Sequence, residues 1–493
     1  MNRPTPRTSY LLLALLLGLG CRVREEPPAP AHQGPIVLIT IDALRADVIG
    51  AFGGPPKLTP YLDELAAKSS WAGRAVSPSS WTVPSMASLF TGLQPWSVQT
   101  WSGDRAVLRD DLVTLPEALK AKGYRTAGFR SNHWLQKVYG YAQGFDKFQY
   151  VGEGRRAERY LETLGSGREF VWIHILPPHA PYVRRNYLLS HLPEELPQLP
   201  QKVRPLDLEP YFDPAVPLPP EEEKILRAMY ALNAAYADDM LGRMLAGLRK
   251  SGQWDRTLLV VTSDHGEEFG EFGQIAHGGN LGRQLVEVPL MIKLPAGFER
   301  PLALHPGTKA ATVRVRATLL EAAGWQPEKG TAPSFFQPDS EETGVLSELY
   351  LGNGVNRFSW VEGDRQLLWE SRFARPEPEY YRARYQGIGG KPEPPLSETY
   401  DAIFGRLEAA FARTLPLSGS PDAQPQLTLW RWTDRGSERV EDRSELERMA
   451  RRLRSAWLAA NGKERPPGKN TGRKPQLTPE QEAEMRAIGY AGR

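Results

Sequence analysis

Only one cysteine, Cys21, occurs in the 493 residues, so no disulfide can close within the chain. The net charge of +3 is slight for this length and gives no basic field for a nucleic-acid partner. Beyond the first twenty residues no stretch is apolar enough to cross a bilayer, which takes about 20 residues. No internal repeat is visible. What is present, 41% apolar and 24% charged residues, is a globular composition long enough for one large domain and a smaller one.

The start of the chain differs from the rest. Arg3 and Arg7 precede the apolar run Leu11–Leu17, a pattern of export signals and too short to span a membrane. Gly20-Cys21 follows like a lipobox, although Gly18 stands where leucine is usual. On this reading residues 1–21 are a lipoprotein-type signal peptide, Cys21 carries the lipid, and 22–34, rich in Pro, Ala and Glu, form a flexible tether. The protein would then be exported to the periplasm or cell envelope and anchored to a membrane by its lipid. The plainer alternative is an ordinary cleaved signal with an incidental cysteine.

From Pro35 to about Gly324, strand-like apolar runs alternate with helical patterns. This predicts an α/β fold, a mostly parallel central sheet with helices on both faces. A proline-dense stretch from Leu192 to Pro220 reads as a long loop near the mouth of a site. After Thr331 the character changes: Val345–Leu351 and Arg357–Trp369 read as short strands, with Glu362-Gly363-Asp364 as a hairpin turn. Leu446–Ala459 reads as a helix. Asn461–Pro475 is basic and rich in Pro and Gly, and Thr478-Pro479-Glu480-Gln481 caps a last short helix. The boundaries drawn are 35–330 for the main domain, 331–460 for a C-terminal subdomain and 461–493 for the linker and terminal helix.

The most informative segment is Ser80–Gly92. Thr82 stands two residues before Pro84, and proline is favoured in a helix's first turn. Thr82 at or near the N-cap would face an anion-binding helix start. Most such patterns are plain helix caps; the surroundings make this one different. The run Ile36–Ile41 ends in Asp42, and Leu258–Thr262 leads into Ser263-Asp264-His265-Gly266. Ligands of open α/β sheets bind beyond the carboxyl ends of the strands, where Asp42, Asp264, His265 and Thr82 can meet. Two carboxylates, an imidazole and a hydroxyl suit one divalent cation, which would orient the threonine oxygen and lower its pKa. His277, in a glycine-rich loop, is a candidate general acid or anion donor; a second-metal ligand is its other reading, without a full second ligand set. Arg45 and Asp47 read as a pair rather than as chemistry.

Taken in order, these segments resemble the sulfatase family of the alkaline phosphatase superfamily. The matching pieces are Ile39–Asp47, Thr82-x-Pro84-Ser85 through Leu93, Gly123–Ala127, Pro178-His179-Ala180-Pro181-Tyr182, Thr262–Glu267, His277-Gly278 and Val288–Lys293. The tail Arg486–Tyr490 is similar to the close of many bacterial members. The resemblance implies an alkaline phosphatase/sulfatase-like sheet, a small antiparallel C-terminal sheet, and a metal held by Asp42, Thr82, Asp264 and His265. It further implies that His179 and Lys293 contact the substrate anion. The metal, Ca²⁺, Mn²⁺ or Zn²⁺, is left open.

The departures are equally telling. Thr82 replaces the Cys or Ser that the family converts to formylglycine, so no formylglycine is expected. Met86 stands for the motif's arginine, Ala43 for a second aspartate, and Ser131 for the lysine of the segment that ends at His133. Sulfate leaves a plain threonine ester poorly, because formylglycine's second hydroxyl helps expel it. The expectation is therefore a metal-dependent hydrolase of sulfate or phosphate esters, the phosphorus ester favoured, acting on a small-molecule, glycan or lipid ester. The rivals are a phosphoglycerol- or phosphoethanolamine-type transferase and a non-catalytic sulfatase-like lipoprotein.

Overall fold

The computed structural model describes residues 31–325, apart from 101–105, 153, 198, 200–210 and 212–215, and then 332–337, 344–350, 355–372, 426–433 and 436–461. The signal peptide with Cys21, residues 22–30 of the tether, most of the proline-dense stretch and the terminal linker and helix lie outside the described residues.

The central sheet holds strands β1 (Ile36–Ile41), β2 (Ser70–Val76), β3 (Arg125–Arg130), β4 (Lys147–Tyr150), β5 (Glu169–Ile175), β6 (Leu258–Ser263) and β9 (Glu287–Lys293), in the order β2-β9-β6-β1-β5-β3-β4. The pairs β6–β1, β1–β5, β5–β3 and β3–β4 are parallel, and β9 alone runs against its neighbours. Every residue of β1, β5 and β6 is buried, as continuous apolar runs require when helices cover both faces. Val37, Ile39 and Ile41 point to one face, against helices α1 (Pro60–Ala66), α5 (Arg155–Glu162) and α6 (Pro220–Lys250). Ile36 and Leu38 point to the other, against α2 (Thr82–Thr91), α4 (Leu115–Ala121) and α8 (Arg314–Ala322). Helix α6 is one unbroken element of 31 residues, about 46 Å long. Short helices α3 (Pro95–Val98) and α7 (Arg283–Val286), and the two-stranded pair β7 (Glu268–Phe269) and β8 (Ile275–Ala276), sit in the connections.

The end of the expected tether is not loose. His32 donates its backbone N–H to Ala322 (2.8 Å), and the Tyr124 hydroxyl donates to the His32 carbonyl (2.8 Å). Residues 31–34 thus belong to the folded body.

The second sheet, β10 (Val345–Tyr350), β11 (Val355–Glu362), β12 (Arg365–Arg372), β13 (Gln426–Thr433) and β14 (Gly436–Val440), is antiparallel throughout. Gly363, at φ 57°, turns the hairpin between β11 and β12. One face buries Phe358, Leu367 and Trp369 under helix α9 (Arg443–Asn461), and Trp96 of α3 enters this same core. The other face sets Leu349, Val361 and Trp432 against Val76, Leu281 and Val286 of the main body. Strand β10 also holds the segment before α2: Glu348 N donates to the Pro78 carbonyl (2.8 Å), Ser347 Oγ to that of Ser77 (2.7 Å), and Glu348 accepts from Trp96 N (2.9 Å).

Candidate active site

The parallel strands deliver their polar residues to one edge. Asp42 leaves β1, Asp264 and His265 leave β6, and His174 sits next to last in β5. Helix α2 starts from an extended Trp81 (φ −158°, ψ 163°), so Thr82 is its first helical residue rather than its cap. Pro84 lies in the first turn, left-handed Gly92 closes the helix, and all ten residues are buried.

Around Thr82 the hydrogen bonds do not balance. His265 Nδ1 lies 2.8 Å from the Gly266 carbonyl, which can only accept. That nitrogen therefore carries the proton, and Nε2 presents a lone pair. Nε2 lies 3.2 Å from Thr82 Oγ1, 3.5 Å from Asp42 Oδ1 and 3.5 Å from Asp264 Oδ2. Both carboxylate oxygens are buried and without a hydrogen-bond partner. Three acceptors thus face one another in a buried site with only a threonine hydroxyl among them. A divalent cation fits this set: hard carboxylate oxygens, one imidazole nitrogen and a hydroxyl.

The remaining atoms are anchored. Asp264 Oδ1 accepts from the backbone of Ala43 (3.2 Å) and His265 (3.0 Å). Asp42 Oδ2 accepts from Asn132 Nδ2 (2.6 Å), which also reaches Thr82 Oγ1 (3.4 Å). Ligand atoms of Asp42, His174 and Asp264 lie within 4.8 Å of one another. His174, however, acts from behind Asp42. Trp172 Nε1 donates to Thr40 Oγ1 (3.1 Å), Thr40 meets His174 Nδ1 (2.7 Å), and His174 Nε2 meets Asp42 Oδ2 (3.1 Å). With the threonine proton on Nδ1, the chain ends in an N–H donated to the carboxylate, an orienting contact.

Electrostatics agree. Burial pushes Asp42 up, but His179, His174 and His265 outweigh it and hold the carboxyl well below its ordinary range. Asp264 is raised, first by burial and then by Asp42 beside it. Burial, the largest influence, lowers the pKa of the His265 ring. Two adjacent buried carboxylates cannot both ionise without a positive partner.

A second group borders the first. The His277 ring lies 4.3 Å from that of His265 and 4.7 Å from that of His179. His277 Nδ1 lies 2.8 Å from Oε1 of the fully buried Glu267, and Tyr182 donates its hydroxyl to Oε2 (3.1 Å). Arg45 pairs with Asp47 (Nε to Oδ1, 2.9 Å) as expected, and also holds the Glu267 carbonyl (3.0 Å) and Glu271 (2.7 Å). Gly266 is obligatory: a Cβ there would lie 1.9 Å from the Gln284 carbonyl oxygen.

Lys293 is not in this site. In the antiparallel β9 it pairs with Leu259 at the start of β6, the end opposite Asp264. Its ammonium donates to the carbonyls of Trp254 (2.7 Å), Thr257 (3.3 Å) and Leu294 (3.3 Å). The expectation that it contacts a substrate anion is corrected by strand direction. His133 packs on Tyr150, ring centres 5.1 Å apart, and its neighbour Asn132 is the residue that reaches Asp42. Asn132, His174 and Glu267 escaped the sequence reading. The polar residue inside the buried run Phe170–Ile175 was the available signal for His174.

Comparison with known proteins fits this geometry. A family model described as Sulfatase matches residues 35–325. Human iduronate 2-sulfatase is 23% identical, covering 76% of this chain and 85% of its own. Phosphonate monoester hydrolase of Agrobacterium radiobacter superposes with a TM-score of 0.56 at 17% identity, over 83% of this chain and 100% of the other. A protein crystallised with its substrate D-glucosamine-2-N,6-O-disulfate gives a TM-score of 0.58 at 14% identity, over 89% and 100%. These two structural likenesses establish a shared fold.

Proposed function

Since the chain belongs to the sulfatase family and is a hydrolase of sulfuric or phosphoric esters, we propose that Thr82 is its nucleophile, that Asp42, Thr82, Asp264 and His265 hold one divalent cation, and that its ester is one of phosphorus. The observation that carries the reading is the acceptor surplus around Thr82, with Asp42 Oδ1 and Asp264 Oδ2 buried and unpartnered. When bound, the cation would supply Lewis-acid stabilisation of negative charge and keep both aspartates ionised.

The residues of the chain divide the work. Thr82 Oγ1, held at a helix start beside His265 Nε2 and Asn132, releases its proton to solvent, forms the new bond to phosphorus as the ester oxygen departs, and is later freed as the same oxyanion. His179 stabilises the anion, and His277 gives its proton to the leaving oxygen. Water then cleaves the threonine ester, returning a proton to His277 and freeing Thr82. A phosphoryl threonine yields to water directly, whereas a sulfated threonine lacks the second hydroxyl by which formylglycine expels sulfate. The substrate is a small-molecule or glycan ester, in keeping with the sugar disulfate bound by the structural relative.

Thr82→Ala should lose at least about 10³-fold in kcat/KM on aryl phosphates, phosphodiesters, phosphonates and sulfates while keeping its metal by elemental analysis. Retained turnover would overturn the assignment, and a wild-type preference for the sulfate would overturn the choice of phosphorus. The export signal and lipid anchor belong to the same proposal: labelling by radioactive palmitate should disappear in Cys21→Ala.

A further inference from the structure

We infer that Glu267 is the positioning residue for His277, a buried carboxylate that fixes which ring nitrogen faces the ester. The inference rests on the proposed role of His277 as leaving-group acid. The pair β7–β8 is built for this contact. Its register sets Glu268 opposite Ala276, so the next positions outward, Glu267 and His277, stand across from each other. Both oxygens of Glu267 are engaged, Oε1 with His277 Nδ1 at 2.8 Å and Oε2 with the Tyr182 hydroxyl at 3.1 Å.

An ionised carboxylate only accepts, so the proton of this bond resides on Nδ1. The other nitrogen, Nε2, is left to carry the mobile proton. In the transfer, the Nε2–H bond breaks as the leaving oxygen gains its hydrogen, while Nδ1–H stays on Glu267. Tyr182 lies three residues after His179, so the same carboxylate ties the loop bearing His179 to the hairpin bearing His277. Arg45, bonded to the Glu267 carbonyl and to Glu271 Oε1, fixes the hairpin to the exit of β1. A carboxylate removed wholly from water is costly unless its partners are kept, which is why the contact is held from three elements.

The test varies the leaving group at fixed pH. Phenyl, 4-nitrophenyl and 2,4-dinitrophenyl esters of phosphate and of sulfate span leaving-group pKa values from about 10 to about 4. His277→Ala should lose about 10²- to 10³-fold on the phenyl ester and under about 10-fold on the dinitrophenyl ester. Glu267→Leu should follow the same pattern, Glu267→Gln more mildly, and Glu267→Asp should recover part of the loss. The double variant should be no worse than His277→Ala alone. A loss in Glu267→Leu that is uniform across leaving groups would overturn the positioning role. Uniform loss in His277→Ala would instead overturn the acid assignment itself. Nitrogen-15 NMR of the His277 ring gives a readout independent of turnover: protonation at Nδ1 in the wild type, lost in Glu267→Leu. An unchanged ring signal would refute the inference.

Discussion

The two ends of the central sheet hold buried charge in opposite ways. At the carboxyl ends of β1 and β6, Asp42, Asp264 and His265 gather more acceptors than donors. At the other end the Lys293 ammonium meets three carbonyls and lies 4.8 Å from the centre of the Trp254 ring. One end is left incomplete by the protein's own atoms, and the other is complete. Stability favours the complete end, and chemistry needs the incomplete one.

The strongest way to break this comparison is at the incomplete end. Asp264→Asn exchanges an anionic ligand for a neutral amide. It should reduce bound metal to trace amounts and activity by about 10⁴-fold, checked by elemental analysis and kcat/KM. Retention of stoichiometric metal would show that the surplus has another purpose. Lys309 sharpens the comparison from a different side. Its buried Nζ has no hydrogen-bond partner, lies 4.1 Å from the centre of the Trp432 ring, and burial lowers its pKa to about 7. Between pH 7 and about 10.4 the unfolded chain alone keeps this proton, so stability should rise with pH across that window. Lys309→Met should abolish that rise and add about 1–3 kcal/mol near pH 7, read from urea midpoints. Lys293→Met is the smallest expected change in function. Activity should stay within about threefold, with about 1–2 kcal/mol of stability lost from the carbonyls left unpaired. A hundredfold loss of turnover would return Lys293 to the site.

Strand direction explains what the sequence made legible. Ile36–Ile41 and Leu258–Thr262 read correctly as buried strands, and the polar residues following each marked a site edge. Lys293 also follows an apolar run, but such a run looks the same whichever way it points; only pairing with β6 reveals β9 as reversed. Thr82 was read to within one helical position, because Pro84 marks the first turn without fixing its first residue. His174 stayed hidden inside a run whose neighbours are all apolar or aromatic. Glu267 acquires its meaning only through a two-residue strand, shorter than any periodic pattern can register.

Trp96 belongs by sequence to the helices around Thr82, yet its indole fills the heart of the distant antiparallel sheet. With Ser347 and Glu348 gripping the carbonyls of Ser77 and Pro78, that sheet acts as a mould in which the segment leading to Thr82 is cast. The catalytic half is therefore not portable. Severed near residue 330, it would strand a naked indole and a slackened threonine, and damage in the far sheet would surface first as silence at the active centre.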